Sequence, residues 1–247
     1  MEYLEGRIFE DVLFSPLPIE ERRKCWYSAI DTLVKLHSVD YKSIGLVNYG
    51  KPSGFYSRQI RSLFKVSEAQ AATMDDKGNK VGSLPRLNDM IQWFKNNEIL
   101  DDTSIIHGDF KVFHPTESRV IGILDWELST IGHPLSDLAN LSMNFFTKDL
   151  PGSPITGLRD VKNLPIPSAN ELIQAYCEKS GRQYPIPNFE FAIAFTLFRT
   201  AVILQGIAAR IARKQASSAK ANAYAKIFKD CALMEFRQQN INGYPFA

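Results

Sequence analysis

The chain has 247 residues, 45% hydrophobic and 23% charged, with 29 Lys and Arg against 27 Asp and Glu for a net charge of +2. That composition excludes wholesale disorder, and a chain of this length buries roughly 70% of its unfolded surface without disulfide or metal staples. So balanced a charge gives no electrostatic case for a nucleic-acid binder or a membrane-surface protein.

The first residues, Met1-Glu2-Tyr3-Leu4-Glu5-Gly6-Arg7, place acids where a signal peptide needs positive charge followed by an apolar run. Pro18 and Glu20-Glu21 open a helix whose apolar stripe is Trp26, Ile30, Leu33, Val34 and His37. A second helix is expected over 55–71, a polar loop over 73–83, and a third helix over 84–97. Ser104–His107 and Val120–Asp125 are short Ile/Val-rich runs that read as buried strands. Prolines 151, 154, 165 and 167 mark a loop, and helices follow near 168–180, 187–214 and 217–240, the last capped by Ser217 or Ser218. The 187–214 segment is apolar nearly all round, as in a helix buried at the centre of a domain. No stretch approaches the ~20 apolar residues of a membrane helix. Residues 1–247 read as a single, mainly helical domain with a small β element.

Cys25, Cys177 and Cys231 are odd in number and far apart, with no C-x-x-C pair. They read as buried small hydrophobes in a reducing compartment. The C-terminal Tyr244-Pro245-Phe246-Ala247 matches no retention or peroxisomal tail. A cytoplasmic location is the expectation.

The chemistry sits in the middle of the chain. Ile106-His107-Gly108-Asp109-Phe110-Lys111 and Ile123-Leu124-Asp125-Trp126-Glu127 each end a short apolar run in an Asp. Paired as a hairpin, the two strands would bring both carboxylates to one rim. There one Asp accepts the proton of an attacking hydroxyl while the other holds Mg²⁺ against phosphates. Oxygen-only ligands favour Mg²⁺ over zinc. Singly, an Asp after a strand is more often a turn former or helix cap; the pair with its His-Gly-Asp lead is the stronger signal. A two-carboxylate metal hydrolase on the same residues lacks further His or Asp ligands beside either motif. His133, before Pro134, reads as structural.

His107-Gly108-Asp109 followed by Asp125-Trp126-Glu127 resembles the catalytic and metal motifs of the aminoglycoside phosphotransferase, or choline-kinase-like, family, distant relatives of the protein kinases. The run from Leu128 to Ala139, Leu36-His37-Ser38-Val39-Asp40 and Gly50-Lys51-Pro52-Ser53-Gly54-Phe55 are similar to it as well. Phe198-Arg199, Leu204-Gln205-Gly206 and Ala216-Ser217-Ser218-Ala219 resemble the branch of kinase-like domains that accompanies acyl-CoA dehydrogenases. The resemblance implies an α+β, mainly α fold: the C-terminal (large) lobe of a protein-kinase-like fold with a small β element and the N-terminal lobe absent. It implies Asp109 as catalytic base, Asp125 as Mg²⁺ ligand, and Glu2 to Leu4 as the interlobe linker whose backbone meets the adenine of ATP. It further implies that His107 supports the catalytic loop, that Asp137 bonds back to loop backbone, and that Trp126 packs. ATP and Mg²⁺ are the implied cofactors. The implied acceptor is a small hydroxylated molecule, of which the branch suggests a hydroxyacyl thioester or similar metabolite, with no nucleic acid and no membrane involved.

Two departures shape the expectation. On this resemblance the chain begins inside the interlobe linker, so the glycine-rich cover, the strand Lys and its Glu partner have no counterpart. The family also expects an Asn five residues after the base. His114 stands there, and the simpler alignment deletes about four residues, Asn included. Imidazole is a poor Mg²⁺ ligand, so His114 reads as a turn or strand residue. The expectation is therefore an impaired ATP- and Mg²⁺-dependent phosphotransferase. The alternative is a non-catalytic kinase-like module or truncated fragment, with a protein partner over the surface a small lobe would cover.

Overall fold

The computed structural model describes residues 5–239 except 8, 10, 109–111, 114–115, 151, 217 and 219, with backbone alone at 112–113 and 234–239. Its elements run α1 (Ile19–His37), α2 (Phe55–Ala71), α3 (Leu87–Asn96), β1 (Ser104–Ile106), β2 (Val112–Phe113), β3 (Val120–Gly122), a 3-10 turn (Trp126–Leu128), β4 (Thr130–Gly132), α4 (Leu135–Phe146), α5 (Ala169–Ser180), α6 (Phe189–Ala212), α7 (Ala221–Lys226) and α8 (Phe228–Gln239). They fall into two compact units, one of residues 1–53, 102–145 and 160–187, the other of 54–101, 146–159 and 188–247.

In the first unit α1 packs on α5, β1 and β3. Cys25, Trp26, Ile30 and Leu33 face inward at the helical spacing their pattern requires. Leu36, Tyr41, Ile105 and Ile131 close a second apolar cluster where the end of α1 meets β1 and β4. Gly50 lies against β4 so closely that a Cβ there would meet Ile131 N at 2.6 Å, which requires glycine. α5 opens with a full capping box, in which Ser168 and Glu171 satisfy each other's backbone amides. Ion pairs Arg23–Glu171 (2.7 Å) and Lys179–Asp31 (2.7 Å) tie α1 to α5 at the surface.

The second unit is organised by α6, against which α2, α7 and α8 pack. The helix is long and apolar enough to cross a membrane by length and composition, which corrects the expectation that no such stretch exists; 67% of its apolar window is buried. The rings of Tyr56 and Phe94 pack edge-on or tilted against Phe191, Phe195 and Phe198 of this helix. Within that apolar setting Gln205 is fully buried, and it stays satisfied. Its side chain accepts from Ser67 at 2.7 Å and donates to the Gly82 carbonyl at 2.9 Å.

Three expectations need correction. β1 does not pair with the 120–125 run; it pairs antiparallel with β4, while β3 pairs with β2. Asp125 is the cause: its left-handed backbone (φ 64°) and the 3-10 turn after it reverse the chain, laying β4 against β1. The third helix begins at Leu87, because Pro85 and the left-handed Arg86 (φ 55°) precede it. The last helix is two, broken at Ile227, where the bend buries both Ile227 and Phe228. Lys220 occupies the α7 cap position, with the Ser218 hydroxyl accepting its N–H at 3.2 Å; Ser217 lies outside the described residues.

Candidate functional site

β1 ends at Ile106, and the next two residues are fixed by a carboxylate from α4. Asp137, 4% exposed, accepts the His107 N–H at 2.7 Å and the Gly108 N–H at 2.8 Å, one on each oxygen. Asn140, one turn further along α4, donates to the Gly108 carbonyl at 3.3 Å. Gly108 adopts φ 89°, a conformation that L side chains rarely take, so the turn that ends β1 needs glycine. α4 itself is started by His133, whose Nδ1 accepts the Leu135 N–H at 3.2 Å. Both residues thus have the structural roles expected of them.

A chain of buried polar groups backs this anchor. The His37 Nε2 lies 3.4 Å from Asp137, and His37 Nδ1 lies 2.9 Å from the Tyr176 hydroxyl. A carboxylate oxygen accepts, so a proton on Nε2 would point at Asp137 and leave Nδ1 to accept from the phenol. Burial pushes the Tyr176 phenol up to about 12, so it stays a donor through the physiological range. Arg182 bonds Tyr176 in turn and pairs with Asp102 at 2.6 Å. Burial alone would raise the Asp102 carboxyl, but the Arg182 guanidinium and the Thr103 N–H outweigh it and hold it below its ordinary value. A depressed carboxyl stabilises the fold above its unfolded pKa of about 4 and loses that contribution as pH falls through the folded value. Urea midpoints should therefore fall between about pH 5 and pH 3. Arg182→Gln should flatten this acid-side drop, since it frees Asp102 to return toward the unfolded value.

Asp125 occupies the far end of the β2–β3 ribbon. It is exposed, in the left-handed region, and its carboxylate has no partner among the described residues. A non-glycine residue held there carries strain of order 1 kcal/mol, a cost that concentrates at functional positions. The side chain after it reaches back to the other motif: the Trp126 ring meets buried His107 edge-on at 4.8 Å, and its Nε1 donates to the Ile123 carbonyl at 2.9 Å. The two Asp-bearing segments are thereby joined through the residue two before Asp109 and the residue after Asp125. Asp109, His114, Glu2 and Leu4 lie outside the described residues. Among the described residues no three His, Cys, Asp or Glu side chains converge to hold a metal. A single free carboxylate instead fits Mg²⁺, which keeps several waters and takes one or two carboxylates besides substrate phosphates. Sequence reasoning missed α4 and β4, although Pro134 at a helix start and Asp137 in the first turn were legible signals. It also missed the Tyr176–Arg182–Asp102 chain, whose members lie far apart in sequence.

Comparison with known proteins gives a consistent picture. A family model described as the phosphotransferase enzyme family matches residues 1–168. Acyl-CoA dehydrogenase family member 11 of Gallus gallus is 37% identical over 243 residues, covering 94% of this chain and 30% of that protein. The Homo sapiens protein of the same name is 37% identical over 239 residues, covering 94% and 29%. The chain thus spans about 30% of the length of these curated relatives. Among solved structures, a Ralstonia eutropha chain described as an aminoglycoside phosphotransferase superposes with TM-score 0.84 at 33% identity, covering 97% of this chain and 71% of its own. Choline kinase of Cryptosporidium parvum shares the fold at TM-score 0.57 and 12% identity, covering 96% and 70%.

Proposed function

The chain belongs to the phosphotransferase enzyme family and has its kinase-like, mainly α fold with a small antiparallel β element, and from that premise we propose that it transfers a phosphoryl group from ATP to the hydroxyl of a small metabolite. The observation that carries the reading is the anchored turn at His107–Gly108, held by Asp137 and joined to the Asp125 segment through the His107–Trp126 contact. Phosphoryl transfer demands positioning above all, and this is a positioning device.

In the proposed mechanism Asp109, one residue beyond the anchored turn, accepts the proton of the acceptor hydroxyl. Asp125 would hold Mg²⁺, which would supply neutralisation of charge on the phosphates. Asp137 and Asn140 keep the turn from drifting, and the backbone from Glu2 to Leu4 receives the adenine. The acceptor we propose is a hydroxyacyl thioester, a choice supported by the relatives being named acyl-CoA dehydrogenase family members. An intracellular location accords with three buried, free cysteines.

A direct test incubates the protein with Mg·ATP and a hydroxyacyl thioester, choline or gentamicin, and follows phosphate-ester formation by mass spectrometry. The expected product is the phosphorylated thioester alone. Phosphorylation of choline or gentamicin instead would overturn the acceptor assignment. A second reading, a non-catalytic kinase-like module that binds a protein partner, is favoured by one observation: His114 stands where the family expects an Asn. No product from any acceptor would favour it.

A further inference from the structure

We propose that the groove between α2 and α3 in the second unit binds an anionic amphiphile, a straight alkyl chain ending in a carboxylate. The cavity measures about 500 Å³, within the range of small-molecule sites. Its walls are matched. The stretch from Ser57 to Phe64 on α2 and that from Asn88 to Lys95 on α3 each contribute positions i, i+3, i+4 and i+7. Four residues at that spacing form one helix face, and each wall runs along two turns, about 10 Å. A groove of that length between two helices suits an extended chain better than a compact ring.

The floor is apolar and already built. Phe94 and Phe191 are 2% and 1% exposed and meet edge-to-face at 5.3 Å, and Tyr56 braces Phe191 at 5.1 Å. Ile60 completes the buried surface, while Phe64 and Ile91 flank it half-buried. An aromatic cluster this interlocked does not collapse into the cavity, so hydrocarbon entering it meets preformed apolar surface.

Charge sits at the rim. Arg61 comes from one wall and Lys95 from the other; both are exposed, and neither has an ion-pair or hydrogen-bond partner among the described residues. Glu98, just past the end of α3, is the third charged lining residue and leaves the lining at net +1. Two unpaired cations over an apolar floor select an anionic head group on an apolar body. The inference rests on the second unit alone and does not depend on phosphoryl transfer.

Calorimetric titration with hexanoate, octanoate and decanoate, without nucleotide, tests it. Saturable 1:1 binding should tighten about tenfold for every two methylenes, as buried hydrocarbon requires. The double variant Arg61→Glu/Lys95→Glu changes two exposed side chains, and its fold is checked by an unchanged urea midpoint. It should bind decanoate about tenfold more weakly and acquire affinity for decylammonium. Absence of saturation by decanoate would overturn the proposal. So would affinity independent of chain length, or decanoate binding that survives the charge reversal. Equal affinity of the unaltered protein for decylammonium would overturn the anionic assignment.

Discussion

Asp137→Ala lowers the unfolding free energy by about 3–5 kcal/mol, read from urea denaturation at pH 7. The magnitude follows from what the carboxylate leaves behind. The His107 and Gly108 N–H groups would each lose an acceptor at 2.7 and 2.8 Å, in a setting where Asp137 is 4% exposed. An orphaned buried donor costs about 1–3 kcal/mol, and the His37 Nε2 proton loses its acceptor as well. Asp137→Asn keeps one oxygen but turns an amide toward a backbone donor, so about half the loss should remain. Asp89→Ala is the reference: its ion pair with Arg86 joins two half-exposed side chains and should be worth under about 1 kcal/mol. An Asp137→Ala loss no larger than that of Asp89→Ala would show that the anchored turn is not a structural keystone.

On the proposed function, Asp109→Asn should reduce phosphate transfer about 10²–10⁴-fold, the range for losing a positioned general base. The amide preserves size and shape but cannot take a proton at neutral pH, so the effect should fall on turnover and leave nucleotide affinity in place. Equal turnover in the two proteins would contradict the assignment of the base. A parallel loss of nucleotide affinity would mean that Asp109 serves binding and not proton transfer.

The helices that were legible in the sequence are those whose inward faces repeat at 3.6 residues within a single stretch. Trp26, Ile30 and Leu33 mark α1, and the helix expected near 168–180 coincides with α5. The expected helix over 55–71 coincides with α2. Strand pairing was not legible, because three-residue strands carry too little pattern to choose partners. Ile105 pairs with Ile131 across a reversal set by one left-handed Asp, and the motif around Asp125 carries no sign of that backbone conformation. The site was half legible for the same reason. His107, Asp125 and Asp137 stand in recognisable motifs, whereas Tyr176, Arg182 and Asp102 reach His37 only through folding. Buried polar chains of this kind join residues distant in sequence, and no local spacing rule registers them.

On the proposed function the Asp125 carboxylate, exposed and without a partner among the described residues, belongs to a Mg·ATP site. Calorimetric titration of Mg·ATP into the folded protein, repeated with Asp125→Ala, tests it most directly. Saturable binding that depends on Mg²⁺ and is lost in the variant is expected. No heat up to millimolar nucleotide, or binding that Asp125→Ala leaves intact, would contradict it.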